Sequence, residues 1–470
     1  MSGPQEQAKG DQPRGKPLAR VLANAGALLG GRGVNAIVGL AYMAIAGRSL
    51  GLAAFGVLTL INAFAQALGE VAKFQSWQTV VQYGAKPLLD GDKPTFQQVL
   101  RFALILDAIG ALVGVTLGVG GALLFSKTLG WSQDMAPAAA LYCLSIAAMT
   151  SATAVGLLRL FDRFKMLAAE QAISSTVRLA GCAIAAALHA PVEGFLLAWA
   201  AGTVASFAYV AAIAVWSLHG RGLLAGFSFK GPLAAGQPGI WRFAWATNFS
   251  STIDVGFTHV LTLAVGALVG PGPAALWRIG RQVADGMAKP ARLMLPALHP
   301  EFAKLRAQKN DAAMLRLARQ IGVIGGGVAG LLLLVCLLAG QWLLTVIMGA
   351  EFAPAAGIMT WQVAAAAIGV MALPIEPMLV SMRAAGAALR VRIIVCVAYL
   401  AALAPLLKTF GLTGAGAALV LAMAGMAVGM LLTLRSKLRH EAAAERESEN
   451  LFAREQACVD PRNERKGDPQ

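Results

Sequence analysis

Apolar stretches of about 20 residues follow one another from near residue 22 to residue 434, separated by short polar or glycine- and proline-containing turns. In a bilayer no water meets the backbone, so only helices and closed barrels can cross it. Stretches of this length read as helices, at about 22–46, 53–82, 102–125, 137–158, 167–188, 194–217, 243–268, 273–297, 318–341, 355–380, 390–408 and 412–434. The expected fold is an all-α polytopic membrane protein with about 12 transmembrane helices. Charged residues make up 13% of the chain, well below the about 25% of a soluble domain. The net charge of +15 does not argue for nucleic acid, because the charges lie in loops between apolar runs. Four of the five cysteines, Cys143, Cys182, Cys336 and Cys396, sit inside apolar segments, and Cys458 lies near the end. Their spacing suggests neither a disulfide framework nor a metal site, and no cofactor is expected.

Lysine and arginine set the orientation. Turns after even-numbered spans carry Lys86, Lys93 and Arg101, then Arg159, Arg163 and Lys165, then Arg221, Lys230 and Arg242. The pattern continues with Lys304, Arg306, Lys309, Arg316 and Arg319, and with Arg383, Arg390 and Arg392. Turns after odd-numbered spans hold only Arg48, Lys127 and Lys408. Both termini are therefore expected in the cytoplasm of a cell whose inner membrane holds the chain. Residues 1–20 form a basic tail without an apolar core of its own, read as retained and not as a signal peptide. Residues 435–470 form a second, Glu- and Arg-rich tail.

Gly47-Arg-Ser-Leu-Gly51 closes the first hairpin, and Gly266-Ala-Leu-Val-Gly270 occupies the equivalent place 219 residues on. The Gly/Pro-rich stretch 218–241 falls between the two copies. The expected plan is two six-helix halves, 21–217 and 242–434, related as parallel repeats around a central cavity and joined by a cytoplasmic linker.

Charges at membrane depth are costly unless they face a bundle interior, so they mark substrate or ion pathways. Arg278, Arg281, Asp285, Lys289 and Arg292, at i, i+3, i+7, i+11 and i+14, fall within roughly 80° of one another on a helix. Lys289 and Arg292 lie nearer the cytoplasmic rim. A mostly cationic stripe suits an anionic guest. Arg32, among Gly30, Gly31 and Gly33 near the middle of the first span, has no cheap structural excuse and joins the substrate-binding candidates. Glu70, Lys73, Glu170, Arg178, Asp254, His259 and Glu376 are candidate coupling or cavity residues. Several have a plainer reading: Glu70 and Lys73 pair locally, Glu170 and Arg178 serve a structural Glu–Arg pair across helices, and His259 is a satisfied core residue. Asp107, about a turn from the cytoplasmic end of its span, is expected to snorkel.

No phosphate loop, zinc-protease, nucleophile-elbow or paired-cysteine motif is present, so binding and movement are expected here, not catalysis. Two stretches carry a resemblance. AIAGRSLGLAAFGVLTLINAF looks like an LG-x-x-x-x-G hairpin, and ALWRIGRQVADGMAKPARLMLPALHPEFAKL runs from R-x-x-R-Q into a P-E-x-A-x-L end. Together with the helical plan, over about residues 20–435, the chain resembles the polysaccharide (O-antigen-type) flippases of the multidrug/oligosaccharidyl-lipid/polysaccharide exporter superfamily. The resemblance implies a substrate, an oligosaccharide on polyprenyl diphosphate, moved to the outer leaflet. On its motif it implies roles for Arg278, Arg281 and Gln282, and it suggests glycosyltransferase or polymerase partners. The alternative is a cation-coupled multidrug exporter of the same fold, whose cavity is expected to be acidic.

Overall fold

The computed structural model describes residues 17–459, apart from 151, 232, 234–236, 256–258, 293–294, 309 and 383. Side chains are described from residue 35 on, except 36, 250, 253–255, 289–290, 292, 295–297, 299–300, 442 and those beyond 443. The described residues contain helices and turns and no strand. In order the helices are α1 (Pro17–Ala72), α2 (Ser76–Leu89), α3 (Lys93–Leu124), α4 (Ala136–Cys143), α5 (Ile146–Met149), α6 (Thr153–Leu160), α7 (Phe164–Ala187) and α8 (Val192–Gly220). They continue as α9 (Ile240–Val255), α10 (Leu261–Val269), α11 (Pro271–Arg292), α12 (Leu295–Ala307), α13 (Asp311–Met348), α14 (Ala355–Ala372), α15 (Ile375–Ser381) and α16 (Ala385–Val459).

Among the described residues, seven helical stretches are long and apolar enough to cross a membrane, and the two longest, Ile37–Leu89 and Ala385–Glu441, are too long for one crossing. Each turns at a glycine. In α1 the break is Gly51, with φ 75° and ψ 174°. Asn35 before it donates to Gln171 at 3.5 Å, while Lys73 after it lines a cavity with Glu170, so the chain leaves α7 and comes back to it. In α16 the break is Gly411, with φ 58°. Gly429 packs on Val391 and Gly425 on Val395, two pairs centred on residue 410, as an antiparallel hairpin requires. Both glycines adopt φ values that L-residues avoid.

Several expected spans are interrupted. The second breaks at residues 73–75, where Gln75 has φ 42°, and the fourth is divided into α4, α5 and α6. Asp107 on the unbroken α3 explains how two breaks persist inside the bundle. It does not snorkel: the residue is 7% exposed, its Oδ1 accepts from the Ser76 hydroxyl at the start of α2, and its Oδ2 accepts from Thr153 N–H at the start of α6, at 2.8 Å. The first N–H groups of a helix have no partner within the helix, and a buried one without a partner is expensive. Gly110, Gly114 and Gly118 on the same helix let α3 lie against the interrupted segments at Ala72 and at Cys143 and Ile146.

Helices α1–α8 pack mainly on one another, as do α10–α16, while α9 lies on α1 and α2; the two groups meet chiefly where α1 lies along α11, α9, α10 and α13. The connecting stretch is tied to the first group. Gln97 donates to the carbonyls of Leu223 at 2.7 Å and Ala225 at 3.1 Å, and Arg101 donates to those of Ser228 and Lys230. Edge-to-face rings (Phe74 with Trp245, Tyr83 with Phe243, Phe102 with Trp241) then dock the start of α9 onto α2 and α3. At the end of α12, Arg306 joins Asp311 at 2.8 Å and Glu441 of α16 at 2.6 Å. The hydrogen bonds from Arg306 to Asp311 raise the Arg306 pKa further above its ordinary value. The long α13 exposes Ile324, Leu331, Leu338 and Trp342, an apolar outer face suited to lipid.

Candidate functional site

Helix α11 carries the charged stripe and sits between α1 and α14. Its apolar side, with Ala274, Ala275, Trp277, Ile279 and Ala284, is buried. Gly280 accommodates Gln362 and Met359 of α14, and Gln362 donates from Nε2 to the Trp277 carbonyl at 3.1 Å. This packing fixes the rotation of α11 and leaves Arg278, Arg281, Gln282 and Asp285 half-buried on the remaining sides. Gln282 lies against Gly39 of α1.

The cations on α11 are not equivalent. Arg281 Nε sits 3.2 Å from Asp285 Oδ1, one helical turn away, so its charge is largely matched. Arg278 has a buried Nε with no hydrogen-bond partner and no carboxylate at ion-pair distance among the described residues. His259 lies within electrostatic reach of Arg278, Arg281 and Asp285. The side chains of Arg32, Asp254, Lys289 and Arg292 lie outside the described residues.

A second cation comes from the other helix group. Arg178 of α7 donates from Nη2 to Thr203 Oγ1 of α8 at 2.9 Å and stacks near Trp199, with Tyr42 and Tyr142 beside it. Its Nε is buried and unpartnered. It forms no ion pair with Glu170: the two stand eight residues apart on one helix, about 12 Å along the axis, and Glu170 instead accepts from Ser206 at 3.2 Å. Tyr142, which donates to Asn62 Oδ1 at 2.8 Å, lies within electrostatic reach of both Arg178 and Arg278. Arg178 and Arg278, from different helix groups, thus each keep a buried Nε without a hydrogen-bond partner among the described residues, and both lie within electrostatic reach of Tyr142.

Between α1, α5, α6, α7 and α8 lies a cavity of about 160 Å³. Its polar lining includes Lys73, Glu170, Ser174, Arg178, Thr203 and Ser206. Lys73 is 3.8 Å from Glu70, the local pair expected from their spacing. Glu376 at the start of α15 is exposed and takes no part in the lining of this cavity. The sequence pattern alone does not single out Asn62, Tyr142, Thr203 or Ser206. Thr203 and Ser206, two polar residues three apart within an apolar helix, are a usable signal; Tyr142 is not.

At one face of the bundle the two groups are locked together. Arg48 beside the Gly51 turn donates to the carbonyls of Val346 and Ile347, the latter at 3.0 Å, and Leu52 N–H donates to Glu351 Oε2 at 3.1 Å. Phe55 and Phe352 meet edge-to-face at 5.8 Å just beneath. The bundle is closed on this side.

A long-helix bundle with interrupted spans, closed at one face and cationic between its two helix groups, is the architecture of a membrane transporter. The chain belongs to the polysaccharide biosynthesis protein family, whose model matches residues 21–306. It is 30% identical over 320 residues to the inner membrane protein YghQ of Escherichia coli strain K12, covering 68% of this chain and 90% of that one. Its fold is similar to that of the lipid II flippase MurJ in an inward closed conformation, with a TM-score of 0.67 at 11% identity, covering 88% of this chain and 87% of that one. It is similar also to an inward-facing multidrug resistance MATE transporter, with a TM-score of 0.65 at 15% identity, covering 88% and 95%.

Proposed function

We propose that this chain is an inner-membrane flippase that moves a polyprenyl-diphosphate-linked oligosaccharide from the cytoplasmic to the outer leaflet, by alternating access between two six-helix halves. The observation that carries this reading is Arg278 on α11, where the two helix groups meet, whose buried Nε has no hydrogen-bond partner among the described residues. A diphosphate is the anion such a group suits, because guanidinium binds phosphate oxygens in a bidentate fork. Family membership supports a role in polysaccharide biosynthesis, and the likeness to YghQ supports an inner-membrane setting. The distribution of Lys and Arg supports an outer position for the closed face, so the described state is open to, or poised for, cytoplasmic loading. The polyprenyl tail stays in lipid while the head group crosses inside. A negative-inside potential assists by about 2.3 kcal/mol per anionic charge per 100 mV. Multidrug exporters share the fold, but a cationic lining repels cationic drugs.

Arg278→Ala tests this reading in cells lacking the native gene. Losing charge-assisted bonds to phosphate removes about 1.5–3 kcal/mol. Surface polysaccharide should fall at least about tenfold, with lipid-linked repeat units accumulating and the variant properly inserted. Arg278→Lys, which keeps charge but not the fork, should restore part of the flux. Normal polysaccharide in Arg278→Ala cells would contradict the proposal.

A further inference from the structure

The cavity beside α7 and α8 has a chemistry unlike that of the arginine on α11. Glu170, Ser174 and Arg178 repeat every four residues on α7, and Thr203, Ser206 and Phe207 face them from α8. The lining carries both signs of charge: Lys73 is 3.8 Å from Glu70, and Glu170 and Arg178 both line the cavity. Such a lining does not select a strong anion. It offers a carboxylate acceptor at one end, guanidinium donors at the other, hydroxyls between, and one aromatic ring on the wall.

The two charged ends do not touch. The two residues sit about 12 Å apart along the α7 axis, and each side chain is held by a hydroxyl of α8. Both line the one cavity, so a six-membered ring seated in it can offer hydroxyls to each. Arg178 keeps an unpartnered Nε, and the single bond that Glu170 Oε1 accepts from Ser206 leaves acceptor capacity on its carboxylate.

We propose that this cavity is a subsite for one neutral pyranose ring of the translocated glycan. This inference rests on the flippase reading above. Tyr142 within reach of both Arg178 and Arg278 puts the sugar subsite next to the diphosphate subsite, so one head group occupies both. The cavity volume of about 160 Å³ suits a single ring and not a whole repeat unit. Glu170 accepts from ring hydroxyls, Arg178 donates to them, and Phe207 covers a ring face. The division of labour makes the helix group α1–α8 the reader of the sugar and α11 the reader of the phosphates.

The test uses the full-length protein in nanodiscs with two separate probes, a methyl N-acetylglucosaminide followed by saturation-transfer NMR and inorganic pyrophosphate followed by thermal shift. Glu170→Gln should weaken the glycoside about tenfold, the loss of one hydrogen bond to a charged group, and leave pyrophosphate binding unchanged. Ser174→Leu, which fills the cavity with a side chain the apolar helix tolerates, should abolish glycoside binding and likewise spare pyrophosphate. Arg278→Ala should do the reverse. Glycoside binding that survives both Glu170→Gln and Ser174→Leu, or no glycoside binding by the wild type in the presence of normal pyrophosphate binding, would overturn the subsite and leave the flippase reading intact. Pyrophosphate binding unaffected by Arg278→Ala would instead count against the flippase reading itself.

Discussion

Replacing Asp107 by alanine should destabilise the protein by about 2–5 kcal/mol, although the residue touches neither arginine of the candidate site. One carboxylate serves two helix starts. Its removal leaves Thr153 N–H and the Ser76 hydroxyl without their acceptor, in a place from which water is excluded. The interrupted segments that wall the cavity, α5 and α6, lose their anchor on α3 at the same time. Asp107→Asn should cost much less, about 1 kcal/mol, because its amide oxygen still accepts from Thr153 and its amide nitrogen can donate to Ser76. The measurement is thermal unfolding in detergent, followed by size-exclusion chromatography. An alanine variant as stable as the wild type would show that the helix breaks hold without the carboxylate.

Gly56→Val should prevent closure of the locked face. A Cβ at residue 56 would overlap the backbone carbonyl of Pro271, where α10 passes into α11, and a backbone atom cannot rotate out of the way. Overpacking at such a contact costs about 1–3 kcal/mol or more, enough to shift a two-state equilibrium between open and closed forms by about tenfold to a hundredfold. The bonds from Arg48 to the 346–347 carbonyls and from Leu52 to Glu351 should part together, since both lie on the same seam. Spin labels at residues 53 and 350 should report a separation several ångströms wider than in the wild type, and polysaccharide output should fall. Unchanged separation in Gly56→Val would show that the contact yields and does not gate.

Some of this architecture is legible in the chain. The hairpin glycine Gly51 and its counterpart Gly270 both have positive φ, 75° and 109°, as tight turns between apolar runs require. The Glu70–Lys73 pair and the common face of Arg278, Arg281 and Asp285 follow from helical spacing alone. What spacing does not reveal depends on residues far apart in sequence. Asp107 reads as reaching for water because hydropathy says nothing of Ser76 and Thr153, which come to it from other helices. Arg178 finds Thr203 and not Glu170, because α8 packs closer to it than two turns of its own helix. The seam lock leaves no trace in the sequence because most of its acceptors are backbone carbonyls, which every residue carries.

The central claim is that the chain carries a lipid-linked glycan across the membrane, and the most direct measurement is the sidedness of that lipid when the chain is depleted. Intact spheroplasts and inverted vesicles from the same cells would be treated with a membrane-impermeant oxidant of sugars. The account predicts that precursor becomes confined to the cytoplasmic leaflet on depletion, and that wild type restores its outer exposure while Arg278→Ala does not. Precursor that reaches the outer leaflet equally fast without the chain would contradict it.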